Sequence, residues 1–124
     1  GLSGARGDNS FTQGAAIYLN GSAGSVVADV TVTNNETGGI RLDNADNTRV
    51  TGSIMLGNGT QNPSADGIQI LNGSTGLTIT GNTLSSNRGN GIEFISGVNS
   101  GNTISANIIR NNGAGVTIAS GNSN

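Results

Sequence analysis

The chain lacks Cys, His, Trp and Lys altogether, has one Pro and carries only three aromatic residues. Each absence removes a class of explanation. Without Cys there is no disulfide scaffold, and either redox environment is compatible with the composition. Without Cys or His there is no zinc-type ligand set, and no acidic run has calcium-loop spacing, so neither a metal nor another cofactor is expected. Five scattered Arg residues and a formal charge of -2 form no basic patch. Three aromatics cannot build a stacking platform, so nucleic acid is not an expected partner. No apolar run reaches the eighteen or so residues a membrane span needs, and no signal-peptide pattern opens the chain. The sequence does not begin with Met, which suggests a mature product or a piece of something longer.

What is present is just as uneven: 22 Gly, 19 Asn, 14 Ser and 13 Thr in 124 residues. Much Gly and Ser with low hydrophobicity often means disorder, but disordered chains usually carry high charge and few β-branched residues. Here only 10% of residues are charged and Ile and Val recur throughout. An ordered chain with a thin core is expected.

The order comes from a repeat. A small residue followed by apolar-x-apolar occurs as AIYL at 16, GIRL at 39, GIQI at 67, GIEF at 91 and GVTI at 115, at intervals of 23, 28, 24 and 24 residues. A second motif follows each of the first four: VVADVTVTNN, RVTGSIMLGN, TITGNTLSSN and TISANIIRNN. The long interval contains GNGTQNPSAD, which reads as a loop inserted at 57–66.

Each unit therefore reads as three short strands separated by Gly- and Asn-rich corners. One unit cannot bury its apolar side alone. Stacked coils can, with each strand paired to the strand above and below at about 4.8 Å and side chains alternating inward and outward. The predicted fold is all-β: a parallel β-helix with three sheets and about five coils of 23–28 residues, forming a single module over 1–124. Its interior rows are Ile17, Leu19, Ile40, Leu42, Ile68, Ile70, Ile92, Phe94, Val116 and Ile118 in the first sheet. Val27, Val50, Ile79 and Ile104 fill the second sheet, and Val32, Met55, Leu84 and Ile109 the third. Aligned corners give an Asn column, Asn35, Asn58, Asn87 and Asn112, and a looser one of Ser53, Asn82 and Asn107. Asn suits such corners because it tolerates the left-handed backbone region and its stacked amides can bond from coil to coil. A leucine-rich repeat is the main rival, since LTITGNTL fits its core pattern. It would need Leu-bearing helix or turn segments where another strand motif stands.

The paired patterns NGIEFISG and GNTISANIIRNN resemble the parallel β-helix repeats of the pectate-lyase-like superfamily. That group includes repeat domains of carbohydrate-binding and sugar-hydrolysing proteins and of large bacterial surface proteins. The similarity spans residues 14 to 120. It implies a right-handed helix, an extracellular or cell-surface location and polysaccharide as a partner, with any activity on the outer face of the first sheet. Many activities share the fold, so it selects none of them.

That outer face carries a stripe of Tyr18, Arg41, Gln69, Glu93 and Thr117. Glycoside hydrolysis needs two carboxylates roughly 5 to 9.5 Å apart. The stripe supplies only Glu93, with Asp66 near a strand start one coil away and Asp43 just past another. Arg41 stands two coils from Glu93, on the order of 10 Å. The plain reading is a solvated polar face without catalytic residues. Other motifs are weaker still. The Arg6-Gly7-Asp8 tripeptide could be an adhesin signal, but three residues match easily in so Gly-rich a chain. Four N-x-S/T sequons, starting at Asn20, Asn35, Asn58 and Asn72, are about what this composition produces by chance. The outward pairs Thr78/Thr80 and Thr103/Ser105 resemble an ice-binding row, yet Arg49 and Val26-Val27-Ala28 interrupt it.

The ends suggest assembly. No C-terminal cap follows GVTIASGNSN, and residues 1–13 read as an N-terminal cap or a junction. Joining one copy to the next spaces first-strand motifs by one further coil, so head-to-tail self-association into a structural fibre or stalk is the leading expectation. The alternative is a carbohydrate-binding or polysaccharide-processing fragment that uses the stripe.

Overall fold

In the computed structural model, residues 2–3, 14–95 and 97–122 are described, and they contain strands but no helix. Strands are numbered along the chain. The first sheet stacks β2 (Ala15–Asn20), β5 (Gly38–Asp43), β8 (Ile68–Leu71), β11 (Asn90–Phe94) and β14 (Ala114–Ile118). The second stacks β3 (Val26–Ala28), β6 (Arg49–Thr51), β9 (Thr78–Thr80) and β12 (Thr103–Ser105). The third stacks β1 (Leu2–Ser3), β4 (Thr31–Thr33), β7 (Ile54–Leu56), β10 (Thr83–Ser85) and β13 (Ile108–Arg110). Every pairing is parallel and joins one coil to the next, as in a parallel β-helix.

The register matches the repeat. Ile17, Ile40, Ile68, Ile92 and Val116 are successive partners in the first sheet, Val27, Val50, Ile79 and Ile104 in the second, and Val32, Met55, Leu84 and Ile109 in the third. Four complete turns thus separate the five first-sheet strands. The middle of each row is buried, and its side chains form one continuous cluster. On β14, the last described first-sheet strand, Val116 and Ile118 keep the register but are half-exposed. Leu2 pairs opposite Val32 in the third sheet. The remainder of the 1–13 segment, Arg6-Gly7-Asp8 included, lies outside the described residues.

The glycine opening each of the three middle first-sheet motifs, Gly39, Gly67 and Gly91, has a steric cause. A Cβ on Gly39 would meet the Gly67 carbonyl oxygen at 2.5 Å, and one on Gly67 would meet the Gly91 carbonyl oxygen at 2.7 Å and the Asn87 side chain at 2.9 Å. Backbone passes backbone here too closely for a side chain.

The corners work differently from the expectation. The column residues Asn35, Asn58, Asn87 and Asn112 do not adopt the left-handed conformation; the residues just before them, Asn34, Gly57, Ser86 and Asn111, do. The left-handed residue makes the bend, and the Asn after it turns its amide inward. Asn35, Asn58 and Asn87 each donate from both the backbone N and Nδ2 to Oδ1 of the next Asn in the column. Asn58, Asn87 and Asn112 also donate to the Val32, Met55 and Leu84 carbonyls. The Ser53, Asn82 and Asn107 column repeats the scheme. An unexpected third column runs from Ala45 through Ser74 and Asn99 to Asn122. These amides satisfy backbone N–H groups that the corners take out of the sheets.

The inserted segment 57–66 is held at both ends. Gly59 and Thr60 donate to the Asn35 carbonyl, Gln61 and Asn62 to that of Glu36, and Gly89 donates to the carbonyl of Ala65. The loop is therefore a wall beside the first sheet.

Candidate functional site

In the first sheet, Tyr18 pairs with Arg41, Arg41 with Gln69, Gln69 with Glu93 and Glu93 with Thr117, so the predicted stripe is one continuous row. It is not uniformly solvated. Arg41 is only 7% exposed, whereas Tyr18 is 47% exposed. The difference reflects the neighbours of each side chain.

Asp43, at the end of β5, organises the lower half. Its carboxylate accepts from the Tyr18 hydroxyl at 2.9 Å and from Asn72 Nδ2 at 2.7 Å, and forms an ion pair with Arg41 at 3.7 Å. The bond to Asp43 raises the Tyr18 phenol above its ordinary 10.0. The Arg41 guanidinium also lies 5.5 Å from the Tyr18 ring centre and donates to Gln69 Oε1 at 2.7 Å. Its charge is thus largely matched within the row.

The upper half meets the inserted loop. Between the loop and the row lies a pocket of about 290 Å³, lined by Arg41, Gln69 and Glu93 from the sheet and by Asn62, Ser64, Ala65 and Asp66 from the loop. Ala15 and Ile95 add apolar surface. Tyr18 and Thr117, the two ends of the stripe, are not part of its lining. The volume sits at the lower end of small-ligand sites, about 300 Å³.

Asp66 is 2% exposed and accepts from the Asn90 backbone N–H at 2.7 Å and from Gln69 Nε2 at 3.3 Å; Glu93, the register neighbour of Gln69, lines the same pocket. Burial, reinforced by the Glu93 carboxyl, pushes Asp66 up from 3.8 to about 7, against the pull of the Asn90 and Gln69 bonds. A buried carboxyl with a second carboxyl nearby is held in its protonated form more readily than as a second negative charge. The sequence places Asp66 one coil from Glu93; the structure adds its burial and brings both carboxyls into one pocket lining. A signal for it was present: the insertion returns to the sheet immediately before Gly67, which carries Asp66 onto the start of β8.

The linkage has a definite sign. Folding raises the pKa of Asp66, so the folded chain binds more protons than the unfolded one between about pH 4 and pH 7. The stabilising contribution is complete below about pH 4 and is lost as pH rises through about 7, with a slope of up to about 1.4 kcal/mol per pH unit. Asp66→Asn should flatten that part of the profile. Urea unfolding at pH 4.5 and pH 7.5 checks it, the wild type minus variant difference being the readout.

Among known families, the one described as right-handed beta helix region matches residues 5–124. The chain belongs to the right-handed β-helix family. No curated protein and no solved structure matches it. Membership fixes the hand of this β-helix and names no activity. The site must therefore be judged on its own chemistry, and among its described residues no cluster of three or more acidic, His or Cys side chains could hold a metal ion.

Proposed function

We propose that this β-helix is a carbohydrate-binding module that grips a short stretch of glycan between the inserted loop and the outer face of the first sheet. The observation that carries the reading is the pocket itself, where amide, hydroxyl, carboxyl and guanidinium groups from Asn62, Gln69, Ser64, Asp66, Glu93 and Arg41 converge beside apolar Ala15 and Ile95. Sugar hydroxyls both donate and accept, and their recognition needs such a mixed set held in fixed geometry. The C–H faces of a sugar ring need some apolar wall. A parallel sheet supplies the rigidity, since adjacent rungs fix the spacing of successive side chains. The proposal includes the cell-surface or extracellular setting in which polysaccharide is met.

Titration of the full chain with a panel of neutral, acidic and amino oligosaccharides tests it. Binding that Gln69→Ala or Glu93→Ala weakens at least tenfold, with unchanged melting, supports the reading. Absence of binding across the panel overturns it.

A second reading, stacking of copies into a fibre or stalk, is favoured by a different observation. Val116 and Ile118 of β14 are 44% and 50% exposed, although Ile92 and Phe94 beneath them are fully buried. A coil from a second copy would cover them and pair the open strand edge. Sedimentation and electron microscopy over a concentration series distinguish the outcomes: thin uniform fibres support stacking, and a monomer at every concentration rejects it.

A further inference from the structure

The charge arrangement of the pocket narrows the class of ligand, an argument that rests on the glycan-binding reading above. Among the described residues, three ionisable side chains line the cavity: Arg41, Asp66 and Glu93. Arg41 is the lone cation among them, and it is already engaged by Asp43 through the 3.7 Å ion pair, by Gln69 Oε1 and by the Tyr18 ring. The loop 57–66 contributes no charged residue except Asp66. Arg88 is not part of the cavity lining and donates to the Thr60 carbonyl at 3.4 Å, and Glu36 holds the loop through its backbone carbonyl. Among the described residues on the cavity side, Asp66 and Glu93 therefore share no cation but the one committed to Asp43.

We propose that the Asp66–Glu93 pair is a receptor for a cationic group of the ligand, a primary ammonium as on an amino sugar, and that this pocket discriminates against uronate sugars. Asp66 holds a proton in the empty pocket because it is buried from water and, second, because the Glu93 carboxyl lines the same cavity. An ammonium between the two performs the same neutralisation, donates to both carboxylates and makes the proton unnecessary. Near pH 6 the bound state is then two carboxylates and one ammonium, and the proton of Asp66 leaves for solvent. A carboxylate ligand meets the opposite situation: it would stand against Glu93, with Arg41 already committed to Asp43. The position of the pair suits this role, since Asp66 is anchored by Asn90 N–H and Gln69 while Glu93 sits half-buried on the sheet face.

The experiment is calorimetric titration of the full chain at pH 6 with three tetramers, of glucosamine, N-acetylglucosamine and galacturonate, each in two buffers of different ionisation enthalpy. The expected result is at least tenfold tighter binding of the glucosamine tetramer than of the other two, with release of close to one proton per ligand. Asp66→Asn should abolish the proton release, and Glu93→Gln, on a half-buried surface position that does not endanger folding, should remove the tenfold preference. Equal or tighter binding of the N-acetylated or uronate tetramer overturns the proposal while leaving glycan binding intact. Tight glucosamine binding without proton release also overturns it. No binding of any tetramer overturns both readings together.

Discussion

Ile79→Asp is expected to abolish folding. Ile79 is fully buried in the second sheet, paired with Val50 on one side and Ile104 on the other, and its side chain belongs to the continuous interior cluster. An ionised carboxylate there would have neither solvent nor a partner, at a cost of several kcal/mol. Protonation would relieve the charge but not the lost packing, and truncating a buried Ile costs about 2–5 kcal/mol by itself. Domains of this size are stable by about 5–15 kcal/mol, so the two effects together consume most of the margin. The variant should show no cooperative urea transition and no strand signal in circular dichroism. Ile79→Val, which keeps the shape and loses one methyl group, should cost only about 0.5–1.5 kcal/mol and remain folded. A cooperative transition for Ile79→Asp close to that of the wild type would mean that this row does not face inward.

Ile79 belongs to an interior that is legible in the sequence. Its rows follow from two superimposed periods, alternation within each strand and recurrence at coil spacing, and both are written in Ile, Val and Leu positions. The 28-residue interval likewise marks the insertion, since the register Ile40 to Ile68 requires the surplus to leave the stack. The corners were less legible for a physical reason. Doublets such as Asn34-Asn35 and Asn111-Asn112 hide which residue bends and which bonds, and only Gly57-Asn58 separates the roles, because Gly there can supply the bend but not the amide. The third column was hidden by chemical variety: Ser74 and Asn99 both accept a backbone N–H from the coil before, yet a search for repeated Asn does not join them.

The candidate site divides along the same line. The row from Tyr18 to Thr117 is a consequence of register and could be read directly. The pocket is not, because periodicity describes residues within the coils and is silent about where an insertion folds. Asp66 acquires its character from the wall built by 57–66 and from Glu93 one coil further on, a tertiary environment that no local pattern encodes. Arg41 is a similar case. Its two-coil separation from Glu93 follows from the register, whereas its engagement by Asp43, two residues along the same strand, does not.

Asn87→Ala should produce the second large loss of stability, and it tests whether the Asn columns hold the coils together or merely decorate them. Asn87 is 2% exposed. Its Oδ1 accepts from Asn58 N at 3.1 Å and from Asn58 Nδ2 at 2.9 Å, while its Nδ2 donates to the Met55 carbonyl and to Asn112 Oδ1, each at 3.0 Å. Truncation leaves the Asn58 backbone N–H and the Met55 carbonyl without these bonds in a place water does not reach. Asn58 Nδ2 still has the Val32 carbonyl, and Asn112 Oδ1 still has the Asn87 backbone N–H. Two buried groups at about 1–3 kcal/mol each give an expected loss of about 2–6 kcal/mol. Asn112→Ala should cost less, because Asn112 is only half-buried. Asn87→Asp provides a sharper control: it keeps the acceptor, loses both donors and sets a carboxylate against the Met55 carbonyl and Asn112 Oδ1. It should therefore be more damaging at pH 7 than at pH 4, where protonation restores one donor. Urea midpoints for the three variants at both pH values give the order, and hydrogen exchange at the Asn58 amide reports the broken bond directly. A cost below about 1 kcal/mol for Asn87→Ala, the level of an exposed or water-compensated bond, would show that packing alone holds the coils in register.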